Sequence, residues 1–163
     1  MNQLPDFWRT EIYHPLTVHL PLVALLLATF FIIISLFVKR SHWFKMGSLL
    51  LFIGTAGAWI AVYTGDMADS VVAREICDPT VLEDHENLAY IVSWIFTVAS
   101  LAVIANYYVK QVKFKNSIKT SIVILTITGS AFLIYQGHLG SALVYQQAAG
   151  VYVPGEDCDE FTD

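Results

Sequence analysis

The chain has 163 residues, of which 56% are hydrophobic and 14% charged; a soluble domain carries about 25% charge, so an ordinary water-soluble globule is nearly excluded. Nine basic and fourteen acidic residues give a formal net charge of −5, which offers no electrostatic reason to bind nucleic acid. Four spans of about 20 residues would use half the length, so one transmembrane domain over residues 1–163 is expected.

The first predicted span covers residues 16–38, and residues 20–38 carry no charge. The segment before it does not read as a signal peptide. It lacks a basic start, and its apolar run meets Lys39-Arg40 without a small-x-small cleavage site. His42, beside Trp43 in the basic loop that follows, reads as interfacial. The second span, 46–65, is uncharged and carries Gly47, Gly54, Gly57, Ala61 and Gly65. These fall within about 80° of one helical face. Close helix packing is the leading reading of that stripe, and room for a planar cofactor is the other.

The 66–86 loop is expected to continue helix two for a few turns and to stop at Asp78-Pro79, because proline disfavours helix at the residue before it. The third span, 87–109, is uncharged, and the fourth, 119–145, lies almost wholly in a run without charge from 120 to 155. Each run can cross a hydrocarbon core of about 30 Å. In lipid each must be helical, since every backbone group needs an internal partner. The fold class expected is all-α, an integral membrane four-helix bundle; the bland alternative is one buried soluble helical core.

Orientation follows from the loops. Lys39, Arg40 and Lys45 separate spans one and two, and Lys110, Lys113, Lys115 and Lys119 separate spans three and four. Seven of nine basic residues thus share one side, and all fourteen acids fall on the other. The positive-inside rule puts the basic loops in the cytoplasm and both termini outside, which in a didermal bacterium is the periplasmic side of the inner membrane. Cys77 and Cys158 both fall on that outer side. An even count in an oxidising compartment points to one disulfide between them, with two free thiols as the alternative. The absence of C-x-x-C-H excludes covalent c-type haem attachment by the usual motif.

The histidines are the informative residues. Four of five, His14, His19, His85 and His138, lie toward the outer side on three spans. Ionisable groups in or beside a span are costly and are functional candidates by default. Counting from the basic boundary, His19 and His138 stand 20 and 19 residues away, about 28–30 Å if helical. His14 and His85 stand 25 residues away, about 37 Å. The four therefore sort into a deeper and a shallower pair. His14 and His19 are five residues apart, about 140° around a helix, so each is better paired with a histidine on another helix.

Two histidines from opposing helices in lipid suit haem b, whose iron takes axial imidazoles while its apolar face fills space between helices. Gly137 and Gly140 flank His138 and supply room for a macrocycle. The expected arrangement is one or two haems, with His19 and His138 axial to one, and His14 and His85 ligating a second or bonding the propionates of the first. The competing metal reading would use the histidines with Asp66, Asp69, Asp84 or Glu86, but no ligand pair has a recognised spacing. Glu-x-x-His of a di-iron bundle is missing, as is any serine or cysteine catalytic motif.

His14-Pro15-Leu16-Thr17-Val18-His19-Leu20-Pro21 resembles the H-P-x-x-V-H-x-P opening of a family of small four-span bacterial membrane proteins of uncharacterised function. Thr64-Gly65-Asp66, Asp84-His85-Glu86, Gly137-His138-Leu139-Gly140, Leu143-Val144-Tyr145 and Gly150-Val151 are similar to later parts of that pattern, so the likeness runs from about residue 12 to 151. It implies that His14, His19, His85 and His138 are the family's histidines. It also implies a redox setting, since some relatives are joined to or encoded with cytochrome modules. The two cysteines and the acidic tail have no counterpart in it. The expectation is a b-type cytochrome-like protein that transfers electrons between the quinone pool and a periplasmic carrier, or within a larger respiratory complex that could include a c-type cytochrome. The alternative is a non-redox structural subunit or a metal-handling protein, with no cofactor or a divalent metal. An electron-transfer protein is expected more than an independent enzyme, and the enzyme question stays open at this point.

Overall fold

The computed structural model describes residues 8–38 and 41–151. A 3-10 turn, Thr10–Ile12, leads into four helices: α1 Tyr13–Phe37, α2 Ser41–Val72, α3 Pro79–Tyr108 and α4 Val112–Gln147. All four are long and apolar enough to cross a membrane. They form a square. α1 packs along α2 and α3 along α4, with lighter α2–α3 and α1–α4 seams, and the backbones of the diagonal pairs do not approach.

The helices outrun the apolar runs that announced them. α2 begins at Ser41 and ends at Val72, and α3 begins at Pro79 rather than at residue 87. Asp78-Pro79 is therefore the start of α3 and not the stop of helix two. Proline at the first helical position has the right φ and lacks only an N–H that would have no partner there anyway. Asp78 caps that turn, its Oδ1 accepting from the Thr80 hydroxyl at 2.6 Å and the Thr80 amide at 3.0 Å. These bonds hold the Asp78 carboxyl below the usual carboxylate range. At the other end of the chain's first helix, Pro15 and Pro21 both lie inside α1, so His14 is helical rather than outside it.

The α1–α2 seam is set by glycine. A Cβ on Gly54 would stand 2.6 Å from Leu25 Cγ, and one on Gly47 would stand 2.7 Å from Ile32 Cγ1 and 3.0 Å from the Ala28 carbonyl. The stripe on the second span is thus chiefly a packing surface, with close backbone approach in place of a hydrophobic driving force that lipid does not supply. Hydroxyl pairs fasten the two lighter seams, Thr29 to Ser130 at 2.8 Å between α1 and α4, and Thr55 to Ser100 at 3.0 Å between α2 and α3. Fully buried Leu25, Ile32, Leu51, Phe96 and Ile122 fill the middle. Gly54→Ile is expected to push α1 from α2 and to destabilise the bundle by about 1–3 kcal/mol, the usual cost of overpacking. A lower unfolding midpoint in detergent would register it.

Candidate functional site

The helix registers converge at the end of the bundle that carries the acidic 66–86 segment. A Cβ on Gly65 of α2 would stand 3.2 Å from the His14 ring, and one on Gly140 of α4 would stand 3.2 Å from the His85 ring. Across the square, the imidazoles of His14 on α1 and His85 on α3 face each other with centroids 6.0 Å apart and planes at 88°. One diagonal of the bundle therefore supplies two imidazoles, and the other supplies two glycines at the same level.

His14 Nδ1 lies 2.9 Å from the Ala61 carbonyl oxygen. A carbonyl can only accept, so Nδ1 carries the proton and Nε2 keeps its lone pair. That is the arrangement by which a backbone carbonyl prepares a histidine for ligation. Thr17 donates to the His14 carbonyl at 3.0 Å, and its hydroxyl lies 2.8 Å from that of Thr64, tying the turn that bears His14 to α2. His85 is held from α4. Gln136 Nε2 donates to the His85 carbonyl at 2.9 Å. A turn further out, Val72, Ile76 and Leu143 form a second apolar cluster with Val81, Leu82 and Ala149 packed against it. Tyr90 donates to Asp66 at 2.9 Å on the rim.

His19 and His138 are placed differently. Both are exposed, on the outward faces of α1 and α4. His138 stacks on Tyr135, with centroids 6.1 Å apart. Reckoned from the Thr29–Ser130 bond, His19 is ten residues up α1 and His138 eight residues up α4, or about 15 and 12 Å. They share a level on neighbouring helices but belong to the outside of the bundle. Gly137 points to that side as well. It has no neighbour within 4 Å of a built Cβ, and it lines a shallow apolar groove of about 230 Å³ with Leu22, Leu26, Leu133 and Ile134. His42 is exposed at the opposite end, against Trp43.

The residue pattern of one family, described as a predicted membrane protein (DUF2231), matches residues 12–152. The chain belongs to that family. Neither a curated protein nor a solved structure matches it. The DUF2231 match spans both members of the facing pair, both outward histidines, and Gly65, Gln136 and Gly140.

Among the described residues no three His, Cys, Asp or Glu side chains are grouped to hold a metal ion. Cys77 is exposed, and Cys158, its expected disulfide partner, lies outside the described residues. Sequence reasoning did not single out Gln136 or the Ala61 carbonyl. A glutamine inside an uncharged run was the available signal, since a polar amide in a span needs a partner on another helix. A main-chain carbonyl gives no signal at all.

Proposed function

We propose that His14 and His85 are the axial ligands of a b-type haem at the acidic end of the bundle. On this reading the chain transfers electrons between the membrane quinone pool and a carrier on that side, or within a larger respiratory assembly. The facing imidazole pair carries the proposal. Two imidazoles on one ion, each nitrogen about 2 Å from it, have ring centres roughly 6–6.5 Å apart; the pair stands at 6.0 Å. Gly65 of α2 and Gly140 of α4 bring backbone without a side chain against the two rings.

When bound, haem would supply reversible one-electron chemistry at iron. The residues of the chain do the rest. The Ala61 carbonyl keeps His14 Nε2 available, the Gly65 and Gly140 positions accommodate the rings, and the cluster around Ile76 and Leu143 limits access of water. Two imidazoles leave no open axial position, which favours transfer over substrate chemistry.

A reduced-minus-oxidised visible spectrum of the purified protein, expressed with haem available, tests the proposal. Bands of low-spin haem b are expected. A colourless, folded protein would defeat it and leave a structural membrane subunit as the reading.

The same proposal places the acidic end in the periplasm and the basic loops in the cytoplasm of a bacterial inner membrane, because seven of nine basic residues lie on one side. In a background of Cys77→Ser and Cys158→Ser, an impermeant thiol reagent added to whole cells with a permeable outer membrane should label Ser70→Cys and spare Ser41→Cys. The reverse pattern would invert the topology.

A further inference from the structure

Gln136 makes a contact with His85 that a hydrogen bond to the ring does not explain. Its Nε2 lies 3.2 Å from His85 Nδ1 and 3.2 Å from His85 Nε2. An atom equidistant from both nitrogens at that range cannot lie in the ring plane without colliding with ring carbon. The amide therefore sits over the face of the imidazole, anchored by its bond to the His85 carbonyl. Its Oε1 is buried and has no partner among the described residues. An orphaned amide oxygen is costly, and leucine would fill the space without it. What the amide adds is its pair of N–H groups, one to the carbonyl and one toward the ring face.

The His85 ring is thus held on its face by Gln136 and at its Cε1 edge by the Gly140 position. The His14 ring is fixed independently, through Nδ1 to Ala61 and against Gly65. Two separate clamps hold the two planes at 88°. We propose that Gln136 is the positioning residue that fixes the His85 plane across that of His14, so that a haem held by the pair has crossed axial imidazoles. This rests on the haem reading above. Crossed imidazoles act equally on the two iron d orbitals of π symmetry and leave them nearly degenerate. Low-spin ferric haem in that state has a strongly anisotropic electron paramagnetic resonance signal, its largest g value well above that of parallel-plane ligation.

The experiment has two arms, one with haem and one without. In the haem-loaded ferric protein, one strongly anisotropic low-spin signal is expected. Gln136→Met, and Gln136→Asn whose amide cannot reach, should convert it to a rhombic or mixed signal and lower haem affinity by about tenfold, the small end of what outer-sphere ligand supports contribute. Gln147→Met is the control. It removes an amide that accepts from the Asp78 N–H elsewhere, and it should leave the signal unchanged. In haem-free protein labelled with ¹⁵N-histidine, both Gln136 variants should shift the His85 ring resonances and spare those of His19 and His138. A rhombic signal in the unsubstituted protein, or a signal unmoved in both variants, overturns the proposal. If the protein binds no haem, the haem reading has failed on its own, and unmoved His85 resonances would then overturn the role of Gln136 as well.

Discussion

His85→Ala and His14→Ala are each expected to abolish low-spin haem while leaving the four-helix fold intact. Neither ring belongs to the central core, which is built on Leu25, Ile32, Leu51, Phe96 and Ile122. Far-ultraviolet circular dichroism should therefore change little. With one imidazole gone the iron keeps a single axial ligand, and the spectrum should become high-spin, or colour should be lost. No third histidine can substitute from inside the bundle, because His19 and His138 face outward. His19→Ala and His138→Ala should keep the low-spin signal of the interior haem. Loss of that signal in His19→Ala, with retention in His14→Ala, would move the first haem to the groove between α1 and α4.

Gly140→Leu is expected to cost at least tenfold in haem affinity, about 1.4 kcal/mol of binding, whereas Gly137→Leu should cost nothing. The two glycines are three residues apart on α4 and meet opposite surroundings. A Cβ at Gly140 would come within 3.2 Å of His85 Cε1, and the rest of a leucine would crowd that ring from α4. A Cβ at Gly137 meets open space beside Leu22 and Ile134. There the substitution should stabilise α4 by up to about 1 kcal/mol, since glycine is a poor helix former. Haem content per protein and the unfolding midpoint in detergent separate the two effects. Equal haem loss in both variants would show that the macrocycle approaches from the outer groove.

The four helices were legible because uncharged runs in lipid have one structural solution. Their ends were less so. Residues 66–72 and 79–86 are acidic and polar, yet they continue α2 and begin α3, because a capped helix needs no apolar face once it leaves the hydrocarbon. Counting residues from the basic boundary put His14 and His85 at one height, and their rings do meet. The same count put His19 and His138 at one height without showing that both turn outward. Height follows from rise per residue and is written in the sequence. Azimuth follows from the crossing of the helices, and that depends on contacts such as Gly54 on Leu25 and Gly129 on Phe96. The 140° between His14 and His19 did carry half of the answer. If one points into the bundle the other must point away, but the sequence could not say which.

The position of the facing pair has an energetic corollary. His14 is fifteen residues from the mid-bundle Thr29–Ser130 bond, about 22 Å toward the acidic end. Among the described residues no second pair of facing imidazole rings stands at the basic end, where His42 is exposed. A charge moved through the whole bilayer exchanges about 2.3 kcal/mol per 100 mV with the membrane potential. An electron that enters and leaves at the acidic end crosses almost none of that drop. On the proposed function the reaction is electrically silent: collapse of the potential by an ionophore would neither drive nor retard it, and the chain would conserve no energy as a gradient of charge.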